Sequence, residues 1–522
     1  MSAAARPLLA GGGHPAVTSR RLRDGLTASA VALVIGAAAI GIAIAVPKPS
    51  ITLALGGFAV AILVGWMAAT PRLERSVTVL VIFLGCVNGP LKLIANAGVL
   101  SSGLQDVLIL AITLGLVFRM IVNRTPARLP PLSGWVIAWI VLVLVEAFNP
   151  ETQNVLHALG GWRQELQWVP FFWFGYLLIR TPERFRLMFW ILGVVALLNA
   201  FASTGQTQLS PEEVASLGSG YNNRVYGADS RKYISPNGEG HVRPFGLGDD
   251  AGTSASIGLA ALPGMIALFA LSRRRWERWA ALILTLGSLA GVITGLGRLQ
   301  VVGAAFAIAG FVGYSLLAGR RIAKPILAVI AVAVIALPLG SFFVESVGSN
   351  VFSRYTTISP EKVTGTATGY KQADLEAIPK YIAAEPFGFG LGTAGSVTGF
   401  GGKATELYEG HNINAETEYN LLVKELGVFG ILLWAGFLIR LLVLPATHLR
   451  KVRDTELQVL LAALAAPLFA VFFMAVDGPV SIGVAGGLYL YFAAGVMGYW
   501  FLGGGRARAS RDETAPGTLV AV

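Results

Sequence analysis

The chain has little of what a soluble enzyme or a disulfide-built domain needs. Its single cysteine, Cys86, excludes an intrachain disulfide and a cysteine-based metal site. Charged residues make up only 13% of the 522 positions, and there are 5 histidines. Acidic residues are the scarcer sign, 29 against 40 basic ones, which leaves a formal net charge of +11. Hydrophobic residues fill the space, at 54% with a mean hydropathy of +0.66. Such values lie outside the soluble globular range and indicate a polytopic membrane protein. The basic excess sits mainly in short loops between apolar runs, where it sets orientation, so no nucleic-acid partner is expected.

Apolar runs of spanning length fall near 25–46, 51–69, 77–97, 104–122, 134–150, 166–180, 184–203, 251–271, 279–296, 299–318, 323–343, 421–444, 456–476 and 480–502, about fourteen in all. Hydrocarbon offers no partner to an open backbone, so each is expected as a helix. The first follows Arg20, Arg21 and Arg23 and leads into Val46-Pro-Lys-Pro-Ser50, which lacks a small-x-small cleavage pattern. It reads as a retained helix, not a signal peptide. With the N-terminal tail placed inside, the inner loops carry most of the Lys and Arg, and the short outer connections carry only Lys48, Lys92, Arg163 and Arg298. That asymmetry predicts both termini in the cytoplasm. The chain then divides into a cytoplasmic tail 1–24, helices one to seven in 25–203, an extracytoplasmic segment 204–250, helices eight to eleven in 251–343, a large extracytoplasmic loop 344–420, helices twelve to fourteen in 421–502 and a disordered basic tail 503–522. The expected fold is an all-α polytopic membrane protein with two long extracytoplasmic segments.

Those two segments are too polar and Gly-rich for a large folded domain, yet too long to be turns. The first holds Tyr221-Asn-Asn-Arg-Val-Tyr-Gly227 and His241-Val-Arg-Pro-Phe-Gly-Leu-Gly-Asp-Asp250. The second holds a predicted amphipathic helix over 370–384, with Leu375, Ile378, Tyr381 and Ile382 on one face and Pro386 as its stop. Pro386-Phe-Gly-Phe-Gly-Leu-Gly392 follows, then a polar passage through Lys403, Glu406, Glu409, His411, Asn412 and Asn414. Glu416 to Gly430 closes the loop and runs into an apolar helix. Trp162 and Trp168 bracket Arg163 and Glu165, which reads as an interfacial segment. Lys92, Asp106, Glu146 and Asp477 all lie near outer helix ends, away from mid-depth where a charge costs about 2.5–3.5 kcal/mol. The outer interface is therefore the working zone. ATP and nucleotide sugars are absent there, so chemistry must draw on a substrate already activated and carried across the membrane.

Three arginines stand out by position. Arg243 precedes Pro-Phe-Gly at the end of the first outer segment, Arg298 lies in the tight outer turn Thr294-Gly-Leu-Gly-Arg298, and Arg354 opens the second segment. Guanidinium groups at headgroup depth can hold a pyrophosphate bidentately and stay charged when partly dehydrated. The competing reading is that each snorkels to ordinary lipid phosphate. His411 suits a general base, with a reference pKa of ~6.5, and is otherwise a solvated loop histidine. Glu416 and Glu418 fall in the first turn of a helix that Asn414 can cap; acids there are dipole stabilisers or, for Glu416, a carboxylate base. Asp249-Asp250 has no third ligand, so no metal and no cofactor is expected.

Taken together, these residues resemble the O-antigen ligase and O-antigen or exopolysaccharide polymerase superfamily of bacterial membrane glycosyltransferases, over roughly Val242 to Gly430. The resemblance rests on Arg243-Pro-Phe-Gly ahead of a helix, Thr294-Gly-Leu-Gly-Arg298, Arg354 followed by Glu385-Pro-Phe-Gly-Phe-Gly-Leu-Gly392, and the Glu425-Leu-Gly-Val-Phe-Gly430 close. It implies a glycosyltransferase C-like fold in the bacterial cytoplasmic membrane. It also implies transfer of a glycan from undecaprenyl diphosphate to an acceptor sugar without a metal. The implied diphosphate ligands are Arg298, Arg243 and Arg354, with Asn412 and Glu418 as further substrate contacts and His411 or Glu416 as the base. Implied partners are the lipid-linked oligosaccharide, the acceptor glycan, membrane lipids, and chain-length regulator and export proteins. Family members commonly carry a His-Asn pair eleven residues before the first glycine of the closing Gly-x-x-Gly. Here Gly427 lies sixteen residues after His411, and Glu416 occupies the position eleven before it. Tyr370-Lys371 stands where an arginine is often found. These departures favour a polymerase over a ligase that transfers to lipid A core. A lipid-linked oligosaccharide flippase, the alternative of another class, should show two related halves and a charge-lined cavity, and no internal repeat is evident.

Overall fold

The computed structural model describes residues 51–70, 72–94, 99–122, 129–152, 154–227, 230–234, 238, 240–319, 327–332, 334–335, 355, 370–395, 417–476 and 478–505. They are overwhelmingly helical, and among them nine helices are long and apolar enough to cross a membrane. These are Leu73–Ile94, Gly103–Val122, Pro182–Gln206, Thr253–Leu271, Arg275–Thr294, Arg298–Leu317, Glu418–Lys451, Thr455–Met474 and Val484–Leu502. The chain is an all-α polytopic membrane protein. Its lipid-facing surface is visible on the helix that begins at Glu418. There Leu432, Ile439 and Val443 are exposed along one side, and Trp434, Phe437, Leu438 and Leu441 are buried on the other. An exposed apolar stripe of that length suits hydrocarbon, not water.

The chain forms two compact units, Met1–Leu80 with Asp106–Ala127, and Val81–Gln105 with Arg128–Val522. In the first, Arg119 donates to the carbonyls of Ala68 and Thr70 at 2.8 and 3.0 Å, and Gly115 lies close against the Ala68 carbonyl. In the second, Thr253–Leu271 is the central helix, packed against Pro182–Gln206, Arg275–Thr294 and Arg298–Leu317. Small residues permit the approach: Gly258 meets the Ser288 carbonyl, and Gly264 meets the Phe189 ring.

Several expectations change. The run at 166–180 contains only a nine-residue helix, Pro170–Leu178, about 13 Å long. Pro170 has no N–H to continue a helix from above, so a separate helix, Val155–Leu166, precedes it and is capped by Asn154. The interfacial reading of that stretch holds only for Trp162, which is 44% exposed. Trp168 and Glu165 point inward, and Trp168 donates to the Ile482 carbonyl at 3.0 Å. The helix expected over 370–384 is present as Tyr370–Ala384, with Leu375, Ile378, Tyr381 and Ile382 all half-buried.

The segment 204–250 contains a small folded cap. It comprises Pro211–Ser216, started by a Ser210/Glu213 capping box, then Ser219–Tyr226 and an antiparallel hairpin of Lys232–Ile234 with Gly240–Val242. Val214, Tyr221, Val225, Val242 and Phe245 share a core with Leu93 at the end of Leu73–Ile94. Lys92 ties the same helix end to Asp249 at 2.7 Å.

Candidate active site

The segment Arg243-Pro-Phe-Gly-Leu-Gly is an elbow pinned to the end of Pro182–Gln206. The Gln206 side chain accepts from the Phe245 and Gly246 amides at 2.8 and 2.9 Å and donates to the Gly246 carbonyl at 3.0 Å. Asn199, fully buried about two turns further in, accepts from the Leu247 amide at 2.9 Å and donates to the Gly85 and Val195 carbonyls. Phe245, with no exposed surface, anchors the elbow in the cap core. Gly252, in the left-handed region at φ +84°, then starts Thr253–Leu271. A Cβ on Gly252 would lie 3.4 Å from Gln300 Nε2 and 3.5 Å from Arg243 Nη2. The Arg243 guanidinium and the Gln300 amide therefore converge on one helix N-terminus. Gln300 is two residues past Arg298, the exposed first residue of Arg298–Leu317. Two helix N-termini, each a positive dipole end, thus meet beside Arg243. Tyr355, next in sequence to Arg354, donates to the Ile293 carbonyl in the turn leading to Arg298.

A second polar assembly forms where the two glycine-rich stretches meet. Glu418–His448 contains a break at Gly427, with φ +62° and ψ −157°, a conformation open almost only to glycine. Pro386–Gly388 fits into it. Val428 N donates to Pro386 O at 3.0 Å, Phe389 N donates to Lys424 O at 2.7 Å, and a Cβ on Gly427 would sit 2.2 Å from the Pro386 carbonyl. From there the strap 386–395 runs along Val155–Leu166, with the Gly392 amide over Gly161 at a distance no larger residue would permit. Asn149 holds it by donating to the Gly388 carbonyl at 3.0 Å.

Beneath the strap three carboxyls are buried. Glu425, with no exposure, accepts from Gln164 Nε2 and the Ala394 amide, both at 3.2 Å. Glu418, also unexposed, accepts from the Val480 and Ser481 amides. Glu165 is 5% exposed, and burial, reinforced by the nearby carboxyls of Glu425 and Glu418, raises it well above the usual carboxylate range. Lys424 lies with its ammonium 5.0 Å from the Tyr381 ring centroid.

Both assemblies lie at the same end of the bundle. Gly303, just over a turn beyond Arg298, packs on Met474, and the next residue, Ala475, accepts the Glu418 amide at 2.9 Å. Of the predicted site residues, Arg243 and Arg298 are brought to one end of Thr253–Leu271. Glu418 occupies the same end but spends one carboxylate oxygen on the 480–481 backbone. His411, Asn412, Glu416 and Arg354 lie outside the described residues, as does Asn414. The cap of the Glu418 helix is Thr417, whose hydroxyl accepts from the Asn420 amide at 3.0 Å, and not Asn414 as expected. Thr417 has the extended backbone that a cap needs, followed at once by an acid in the first turn. Asp249 and Asp250 face cations of the protein, Lys92 and Arg231. Burial would raise Asp249, but the Lys92 charge and hydrogen bond outweigh it and hold the carboxyl below its usual value. Among the described residues no three His, Cys, Asp or Glu side chains are grouped so as to hold a metal ion.

Sequence reasoning missed Gln206, Asn199, Gln300, Gln164, Glu165 and Glu425 as site-building residues. The available signal was a polar side chain within or at the end of an apolar run, which Asn199 and Glu425 carry. Compared with known protein families, characterised proteins and solved structures, the chain matches none.

Proposed function

We propose that this chain is a metal-independent glycosyltransferase of the cytoplasmic membrane that polymerises a surface polysaccharide. It takes the glycan from an undecaprenyl diphosphate carrier on the outer face and joins it to an acceptor sugar on another lipid-linked unit. The topology proposed with it has about fourteen spans and both termini in the cytoplasm, from the distribution of Lys and Arg. The observation that carries this reading is the convergence of Arg243 and Gln300 beside Gly252, with Arg298 opening the adjacent helix. A leaving diphosphate develops charge as the glycosidic bond breaks, and preorganised guanidinium groups and helix N-termini stabilise such charge most when water is partly excluded. An acceptor hydroxyl must lose a proton in the same step, for which His411 and Glu416 are the proposed bases. The spacing of His411 and Glu416 from Gly427 favours a polymerase; transfer to lipid A core by a ligase is the second reading.

The test is purified protein given an undecaprenyl diphosphate repeat unit, with and without lipid A core. Polymer is expected in both cases; product only with the core would establish the ligase instead. Arg298→Ala is expected to abolish product while the protein still inserts; polymer of normal length and yield from that variant would remove Arg298 from the site, and no product from the wild type in either case would remove the enzyme reading.

A further inference from the structure

The buried carboxyls under the strap are not required by the arginine site, and their hydrogen bonding is incomplete in a specific way. An ionised carboxylate only accepts hydrogen bonds. Glu418 has two backbone donors on one oxygen, and Glu425 has the Ala394 amide and Gln164 on one oxygen. The other oxygen of each, Oε1 of Glu418 and Oε2 of Glu425, is buried without a hydrogen-bond partner among the described residues, and so is Oε1 of Glu165. Ser481, 8% exposed, also faces Glu418 with a hydroxyl that completes no hydrogen bond. Among the described residues, one oxygen of each of these three neighbouring carboxyls is thus buried without completing a hydrogen bond.

Among the described residues, the influences on the three carboxyls are burial, one another and neutral hydrogen-bond donors. The facing groups among the described residues are Gln164 from Val155–Leu166, Tyr491 from Val484–Leu502, Ser481, and Tyr419 and Lys424 from the Glu418 helix itself. Lys424 directs its ammonium to the Tyr381 ring. Fully ionised, the compartment would hold three buried like charges, each costing several kcal/mol to desolvate. Protonation removes the charge and turns an acceptor into a donor. Carboxylates crowded in this way share protons and titrate as a unit.

We propose that Glu165, Glu418 and Glu425 form a proton-binding site, in which protons taken from the aqueous phase at that end of the bundle keep the three carboxyls from ionising together. Glu165 carries the proton first, because among the described residues no backbone amide donates to it, whereas amides hold the other two. The site controls the strap: Glu425 holds the Ala394 amide, so loss of the shared proton sets like charges against each other where the strap docks. This inference does not rest on glycosyl transfer, and its test makes no use of that activity.

The test is infrared spectroscopy of the full-length protein in lipid nanodiscs across a pH series. Wild type is expected to show the C=O stretch of a protonated carboxylic acid near neutral pH, shifted by deuterium exchange and lost as pH rises. Glu165→Gln is expected to remove the larger part of the band, and Glu165→Asp, which keeps the acid if the amide variant does not fold, to move its frequency. Absence of the band in wild type over the whole series overturns the proposal. So does a band unchanged in Glu165→Gln, Glu418→Gln and Glu425→Gln alike, or one that Glu165→Asp leaves in place.

Discussion

At the scale of single residues, the arginine site depends on side chains that never touch a substrate. Gln206 satisfies two amides and one carbonyl of the elbow that carries Arg243, and all three would otherwise be left without a partner in a largely buried place. Gln206→Ala is expected to lower stability by about 1–3 kcal/mol, the usual penalty for orphaned buried groups. It should also raise hydrogen exchange at Phe245 to Leu247. Thermal unfolding in detergent and local exchange measure this, and unchanged exchange at those amides would show that the elbow is held by Phe245 packing alone. Asn199 acts about two turns deeper on Leu247, so its loss should be felt at the same amides. The sequence shows Asn199 only as a polar residue within an apolar run and does not name what either side chain holds. Apart from Val195, their partners are 39 to 114 residues away, and only folding brings them together.

Among the elements, the docking of the strap into the Gly427 break leaves no room for a side chain. Any Cβ there meets the Pro386 carbonyl at 2.2 Å, and the backbone lies where other residues are strained by about 1–3 kcal/mol. Gly427→Ala is expected to release the strap, seen as faster exchange at Phe389 and Val428 and new proteolysis between Pro386 and Gly395. Retained protection at both amides would contradict it. The cap offers a pH-dependent counterpart. Asp249 is held below its usual value by Lys92, so its contribution is present above the unfolded pKa of ~3.9 and is lost as pH falls through the lower folded value. Exchange protection of 211–242, corrected for the intrinsic rate, should therefore fall on acidification below that range, and Lys92→Met should remove this component. Both glycine stretches were visible as motifs, but their pairing was not: a run of glycines announces backbone freedom without naming what approaches it.

For the whole molecule, charge distribution makes the sharpest prediction. In a Cys86→Ser background, Ser210→Cys should react with an impermeant maleimide in intact cells, and Ser510→Cys only after permeabilisation. The reverse pattern would invert the proposed topology and move the arginine site to the cytoplasm. By itself the sequence determined the membrane class, the existence and approximate ends of most spans, and the amphipathic helix over 370–384. Those features follow from local hydrophobicity and from the need of every backbone group in hydrocarbon for an internal partner. Tertiary structure alone decided that 170–178 is too short to cross alone, that Glu165 faces inward beside Glu418 and Glu425, and that Arg243 meets the helix begun by Arg298. The reason is physical: hydropathy records how much a segment avoids water, whereas the direction of a side chain depends on helix phase against neighbours distant in the chain.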